Sequence, residues 1–312
     1  MIEVAIFLEG QNGLNWPRWQ RIAAAVEDLG YAGLYRSDHF TNRNPPDKDS
    51  LELWVSLAWL ASHTRRIEFG PLVSPISFRH PALTARMAAA VDDLSGSRLV
   101  LGVGAGWQER EHLKFGFDLL GLPQRIDRFE EGLEVITRLL RSETPVDFAG
   151  DYFHLEQAIL LPRPQRPGGP PVLIGARGSR RTLPLVARFA DEWNAFEISP
   201  DNFIRLNRLL DQHLVERGRQ PHQVRRSLMT NCVFGKDTAE VRRQVEARTY
   251  ARFTPEEFRQ RGAVVGTAPE FVEQLGKWAE AGLQRIMLQW LDLDDLDGLE
   301  TIARDVLPQV SK

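Results

Sequence analysis

The sequence predicts an α/β fold, a single (β/α)8 TIM barrel over residues 1–312, and three observations predict it. Short β-rich runs alternate with longer runs of helical periodicity, the signature of repeated βαβ units around a parallel sheet. The length of 312 residues exceeds one ordinary domain but suits one α/β barrel. An apolar share of 43% and a charged share of 26%, with 8 Trp and 16 Phe, give such a chain a large core.

Ile2 to Leu8 is the expected opening strand, and Trp16 to Leu29 a helix closed by Gly30. Ala32-Gly33-Leu34-Tyr35 is a short strand entering a polar loop, Arg36 to Ser50, which is long for a βα connection and so a candidate for function. Leu51 to Ala61 forms the next helix, and Ile67-Glu68-Phe69 a strand ending at Gly70-Pro71. Pro81 suits the first turn of an Ala-rich helix running through Leu94. The strand Arg98 to Leu101 then runs into Gly102-Val103-Gly104-Ala105-Gly106. Over Arg125 to Arg141, Ile126, Phe129, Leu133, Ile136 and Leu140 share one helical stripe.

After this fourth helix the rhythm breaks, and 143–171 is expected as an insertion. Within it, Val146-Asp147-Phe148 and Tyr152 to Leu155 flank Gly150-Asp151 like a hairpin. Val172-Leu173-Ile174 resumes the pattern and leads through Gly175-Ala176-Arg177-Gly178 into a helix with Leu183, Val186 and Phe189. The later strands are Glu192 to Phe196, Val224 to Phe234 and Arg285 to Trp290. They alternate with helices at Asn202 to Arg217, Ala239 to Thr249, Pro269 to Ala281 and Leu296 to Val306.

A net charge of -3 and a pI near 6.2 supply no basic field, so neither nucleic acid nor a membrane surface is expected as a partner. The chain enters its first strand without a leader, and no apolar run is long enough to span a bilayer, so a cytoplasmic location is expected. The single Cys232 excludes an internal disulfide and a multi-Cys zinc site, and its strand context predicts core packing. The seven histidines are scattered without ligand spacing, so no metal site is expected.

In a parallel barrel, chemistry gathers on the loops at the carboxyl ends of the strands. Glu9 and Gln11 follow strand one, and Ser37-Asp38-His39-Phe40 follows strand two. His39 titrates near neutral pH and, beside Asp38, can exchange a proton with a substrate oxygen; taken alone, such a histidine more often makes a structural hydrogen bond. Gly102-x-Gly104-x-Gly106 differs from a dinucleotide fingerprint, because its third glycine comes one residue early and Trp107 follows it. It predicts backbone cleared for a flat ring, edged by Trp107 and His112. Gly175-Ala176-Arg177-Gly178-Ser179 joins a strand to a helix, and free amides there, with Arg177, suit a phosphate. Arg180 and Arg181 are equally readable as solvated side chains. His80, between Arg79 and Pro81, is expected at a helix entry.

Together these segments resemble the luciferase-like monooxygenase superfamily, in particular its F420-dependent oxidoreductases. The resemblance rests on Leu34 to Phe40, on Phe78-Arg79-His80-Pro81 through Leu94 to Leu99, on Leu101 to Trp107, and on Pro171 to Gly175 with Ala190-Asp191-Glu192-Trp193-Asn194. It runs in order along nearly the whole chain.

The resemblance implies a TIM barrel with an insertion, a cofactor ring at the strand ends, and commonly a homodimer. It places Asp38 and His39 near the deazaflavin and the substrate as catalytic residues. It assigns the glycine loop to Ala105, Gly106 and Trp107, and the cofactor phosphate to Gly175, Ala176, Arg177 and Gly178. Many members carry a bulge after strand three, often with a non-prolyl cis bond. Here that segment is Gly70-Pro71-Leu72-Val73, which brings Leu72 and Val73 to the cofactor, and its proline leaves the peptide geometry open. Some F420-dependent sugar-phosphate dehydrogenases have a carboxylate where this chain has Trp107, so their substrate and acid assignments are not carried over.

The expected function is hydride transfer between coenzyme F420 and a small organic substrate. Two alternatives stay open: an FMN-dependent, oxygen-using monooxygenase, and a flavin-binding protein without turnover.

Overall fold

Side chains alternate along the strands between two apolar environments, and this alternation organises the molecule. In the computed structural model, which describes residues 1–178 and 180–310, the strands are β1 (Glu3–Leu8), β2 (Gly33–Arg36), β3 (Glu68–Pro71), β4 (Ser74–Pro75), β5 (Leu101–Gly104), β6 (Val146–Ala149), β7 (His154–Ala158), β8 (Val172–Gly175), β9 (Glu192–Phe196), β10 (Arg225–Phe234), β11 (Val264–Gly266) and β12 (Arg285–Gln289). The helices are α1 (Trp16–Asp28), α2 (Leu53–His63), α3 (Pro81–Ser95), α4 (Glu109–Phe115), α5 (Leu122–Arg141), α6 (Thr182–Phe189), α7 (Pro200–Glu216), α8 (Thr238–Thr249), α9 (Pro255–Gln260), α10 (Ala268–Glu280), α11 (Leu296–Asp305) and α12 (Leu307–Val310).

The main sheet runs β3-β2-β1-β12-β10-β9-β8-β5-β4, all parallel. Phe69 on β3 bridges Leu99 just before β5, and the Val100 amide donates to the Phe69 carbonyl at 2.8 Å, which closes the ring. Since β3 and β4 are two pieces of one barrel strand, the ring among the described residues is the expected (β/α)8 barrel.

Val4, Ile6 and Leu8 point outward against the helices, whereas Ala5 and Phe7 point into the barrel with Tyr35, Leu72, Val100, Leu173 and Met287. The same two-residue period carries each strand's inward face up to its carboxyl end. On that rule Glu9 and Ser37, past the ends of β1 and β2, continue inward faces. So do Gln289 on β12, Phe196 on β9, and Gly102 and Gly104 on β5.

Several elements differ from the sequence expectation. The strand expected at Arg98 to Leu101 is displaced to Leu101–Gly104, so two of the alternating glycines lie inside it. A Cβ on Gly70 would collide with the Val100 carbonyl, and one on Gly102 with the Pro71 carbonyl. These glycines let two strands approach each other closely. Gly106 alone of this run takes a left-handed φ, +83°. Segment 108–122 contains the short helix α4, and 250–266 contains α9 and β11. β11 pairs with the end of β10, where Val233, Val241, Val245, Phe258, Ala263 and Val265 form a small separate core.

The insertion at 143–171 is present. β6 and β7 form an antiparallel hairpin, and Glu131 on α5 accepts the Asp151, Tyr152 and Phe153 amides at its turn. Cys232 is buried, as its strand context predicts. His80 caps α3 by accepting from the Ala82 amide, the helix-entry role expected for it. No helix among the described residues is long and apolar enough to cross a membrane.

Candidate active site at the carboxyl ends of the strands

Two short connections build the polar half of the barrel mouth. Leu8 to Gln11 leaves β1, and Ser37 to Phe40 leaves β2. The Ser37 amide donates to the Leu8 carbonyl at 3.0 Å, and the Ser37 hydroxyl accepts from the Gly10 amide at 2.8 Å. That hydroxyl donates to Gln11 Oε1 at 2.7 Å, which orients the Gln11 carboxamide so that its nitrogen donates to Glu9 at 2.7 Å. From β12, Gln289 donates to the other Glu9 oxygen at 2.7 Å.

Asp38 and His39 are neighbours in sequence but find different partners. Asp38 is 5% exposed and accepts from Ser74 at 2.9 Å and from Arg79 at 2.5 Å. Arg79 also pairs with Glu52 at 2.9 Å. Both bonds go to Oδ2, with Arg79 Nη2 3.5 Å from Oδ1; they anchor the loop after β2 to the β4 region, and Asp38 leaves His39 to another carboxylate. His39 Nδ1 lies 2.7 Å from Glu111 Oε1, while Glu111 Oε2 accepts the Phe40 amide at 2.9 Å.

Glu111, on α4, is 1% exposed. Burial by itself would lower the His39 pKa, but the hydrogen bond and charge of Glu111, helped by Glu9 and Asp38, more than reverse it and raise it above the ordinary histidine value. With Nδ1 engaged, Nε2 is the nitrogen left for a ligand.

The sequence reading did not find Glu111, because the 72 residues separating it from His39 hide the pairing. Its only sequence signal was a polar segment directly after the glycine run. Further bonds hold α4 to the loop after β2. Gln108 donates to the Thr41 carbonyl at 2.9 Å, Arg110 to the Asn42 carbonyl at 2.8 Å, and Arg110 and Lys114 pair with Asp47 at 2.6 and 2.8 Å.

Trp107 is 54% exposed and meets the His39 ring edge-on, with centroids 5.7 Å apart. Arg43 lies over the Trp107 ring at 5.9 Å. His112, expected to line the edge, is instead buried, with Nδ1 2.7 Å from the Gln108 carbonyl and Nε2 2.7 Å from the Ser77 hydroxyl. Burial lowers its pKa. A Cβ on Gly106 would sit 2.8 Å from Ser77 Oγ, so this glycine has both a conformational and a steric reason.

The other half of the mouth is smoother. The bulge expected after strand three is present, with a cis bond between Leu72 and Val73. Val73, partly exposed, lies over the inward positions of Gly102, Gly104 and Gly175 and makes an apolar shelf. The Ala176 amide donates to the Asn194 carbonyl at 2.9 Å, and its carbonyl accepts from Trp193 Nε1 at 3.0 Å, so the loop starts from a fixed point. Arg177 is exposed, rests 5.2 Å from the Phe196 ring centroid and pairs with Glu197 at 3.4 Å. Gly178 has φ +78° against Leu206. Ser179 lies outside the described residues. α6 opens at Thr182 without a side-chain cap, and Arg181 reaches back to Asp127.

Comparison with known proteins agrees with this fold. The profile of the luciferase-like monooxygenase family matches residues 2–285. The 4-hydroxyprotoasukamycin monooxygenase of Streptomyces nodosus is 33% identical over 187 residues, 60% of this chain and 48% of that protein. The F420-dependent hydroxymycolic acid dehydrogenase of Mycobacterium tuberculosis is 30% identical over 222 residues, 70% of this chain and 60% of that protein. The chain thus spans about half to three-fifths of the length of these relatives. An F420-dependent secondary alcohol dehydrogenase, solved with an F420-acetone adduct, superposes with a TM-score of 0.87 at 18% identity, covering 100% of this chain and 99% of that one, a likeness of fold.

Proposed function

Since this chain belongs to the luciferase-like monooxygenase family, we propose that it is an oxidoreductase that transfers a hydride between coenzyme F420 and a small organic substrate at the barrel mouth. The observation that carries the reading is the buried Glu111 carboxylate gripping His39 Nδ1 and the Phe40 amide together. A buried carboxylate fixes the imidazole orientation and favours its protonated form, the arrangement suited to a proton exchanged at a substrate oxygen.

The residues present fit the cofactor. The Leu72–Val73 shelf over inward glycines is a flat apolar support, and Ala105, Gly106 and Trp107 follow directly from the end of β5 that it covers. Arg177 and Gly178, at the start of the segment leading into α6, suit the phosphate, since the ion pair of Arg177 with Glu197 joins two half-exposed side chains and exchanges readily for another anion. F420, when bound, supplies two-electron hydride chemistry. His39, through Nε2, donates the proton to a carbonyl oxygen in reduction and takes it back in oxidation. Glu111 holds the imidazole, Asp38 holds the backbone that carries it, and Trp107 limits the ring's tilt from the solvent side.

Titration of the purified protein with F420 and FMN in parallel, followed by tryptophan and cofactor fluorescence, tests the assignment. The expected result is micromolar affinity for F420, about tenfold or more above that for FMN. His39→Ala is expected to keep that affinity and lose turnover. Preference for FMN would overturn the cofactor reading and favour the oxygen-dependent chemistry in the name of the Streptomyces relative. Turnover undiminished in His39→Ala would remove His39 from the mechanism.

A further inference from the structure

Among the described residues, the ion pairs around His39 leave out Glu9, at the carboxyl end of β1. Asp38 and Glu52 share Arg79, Glu111 holds His39, and Asp47 holds Arg110 and Lys114. Glu9 forms no ion pair among the described residues; its two oxygens accept one neutral carboxamide each, from Gln289 and Gln11. Amide donors fix a carboxylate in place without cancelling its charge. Each oxygen keeps a further lone pair, so the group can still accept a hydrogen bond.

Its direction follows from the strand period. Ala5 and Phe7 face the barrel interior, and Glu9 continues that face at the mouth beside Gln289, which likewise continues the face of Met287. Glu9 is partly exposed, and below it the interior is apolar, with Phe7, Val73 and Met229. The cradle is built: the Gly10 amide orients Ser37, Ser37 orients Gln11, and Gln11 orients Glu9. A partly exposed carboxylate held this firmly, outside any ion pair and near enough to His39 to help raise its pKa, is arranged for a donor that arrives from outside.

We propose that Glu9 is a specificity-determining residue. It accepts a hydrogen bond from an O–H or N–H group of the substrate, beyond the reacting carbonyl, and it excludes anionic substrates. The selected class is a neutral or cationic carbonyl compound bearing a hydroxyl or amino group, or the corresponding alcohol. This builds on the hydride-transfer reading, and the test separates the two.

The probes are cyclohexanone, 4-hydroxycyclohexanone, 4-aminocyclohexanone and 4-oxocyclohexanecarboxylate, which differ only in the remote group. Binding is read by ligand-observed NMR with and without F420, and turnover by oxidation of reduced F420. The wild type is expected to prefer the hydroxyl and amino compounds to the carboxylate by about tenfold or more. Glu9→Gln is expected to bring all four to within about twofold. Because the new amide would face an amide donor, the exchange Glu9→Gln with Gln289→Glu serves as the second variant. It restores donor–acceptor matching and the charge, and is expected to restore the ranking.

An unchanged ranking in Glu9→Gln would overturn the assignment. So would wild-type indifference to the remote group, absence of binding by all four compounds, or an equal loss for all four in both variants, which a purely structural role predicts. A ranking in binding that flattens in Glu9→Gln, without oxidation of reduced F420, upholds Glu9 and refutes hydride transfer.

Discussion

The two ends of the barrel solve the problem of inward-facing charge in opposite ways. At the amino ends of the strands, Arg285 is 1% exposed and reaches Glu68 at 2.5 Å, Glu3 at 2.7 Å, Glu192 at 3.4 Å and the Tyr35 hydroxyl at 2.6 Å. Arg225 adds contacts to Glu68 at 3.2 Å and Glu192 at 3.7 Å. Burial raises the Glu192 carboxyl despite both arginines; at the more open Glu68 the arginines outweigh burial and lower it. There charge meets charge, three carboxylates with two arginines. At the carboxyl ends, neutral donors hold Glu9, and His39 keeps one nitrogen for a ligand. The same inward ladder makes a plug at one end and a site at the other. The difference lies in the inward carboxylate itself: at the plug it meets arginines, whereas Glu9 at the mouth is held by neutral donors.

The strongest way to break this comparison is to empty the plug. Arg285→Met leaves Glu3, Glu68 and Glu192 with Arg225 alone, and loss of one partner from a buried ion network costs about 3–5 kcal/mol. Denaturant unfolding is expected to show that loss, while kcat of the molecules that remain folded stays near wild type. A fall in kcat matching the fall in stability would mean that the two ends are not separable.

At the other end, Glu111→Gln is expected to reverse the pattern. The amide still accepts the Phe40 amide but donates to His39 Nδ1, which selects the neutral imidazole. Turnover should drop about 10²-fold with an unfolding midpoint close to wild type. The sign of the pH effect follows from the raised pKa of His39. Chemistry needing the imidazolium persists to higher pH in the wild type, so the descending limb of kcat/KM should move to lower pH in Glu111→Gln. An unmoved limb would separate the observed pKa from His39.

How far the sequence could be read follows the same division. The strands and helices were legible because their periodicity is local: Ile126, Phe129, Leu133 and Ile136 do face the core, and Ala5 and Phe7 alternate with Val4 and Ile6 as a barrel strand requires. His39 was legible from its place after a strand. Glu111 was not, because α4 is one short, mostly polar helix without an apolar stripe, and its partner lies two βα units earlier. The plug was equally hidden. Glu3, Glu68, Glu192, Arg225 and Arg285 each open a strand, where a charge looks like solvated chain, and only closure of the ring turns them toward one another. The glycine run was only partly legible for a related reason. Spacing gave the alternation, but a turn, a ring cradle and close strand packing all require it, and only the neighbouring Pro71 and Val100 carbonyls decide.

A smaller effect sharpens the comparison from outside the barrel. Asp92, on α3, is fully buried like Glu192 but has a single cation. Its Oδ1 accepts from Arg166 of the insertion at 3.0 Å and from the Leu99 amide at 3.1 Å, while its Oδ2 has no partner among the described residues. Burial outweighs that partner and pushes the carboxyl from 3.8 up to about 6. A carboxyl whose folded pKa is raised contributes stability that is full below its unfolded pKa and is lost as pH rises through the folded one, here between about pH 4 and 6. The ionised form therefore costs the fold on the order of 2 kcal/mol at pH 8. Asn in this position keeps the acceptor toward Arg166 and Leu99 and removes the charge. Asp92→Asn is expected to raise Tm by a few degrees at pH 8 and to leave it unchanged near pH 4, with the gain growing across that window. A loss of Tm at pH 8 would show that the Arg166 pair outweighs burial, and one well-placed cation would then suffice where the barrel's plug uses two.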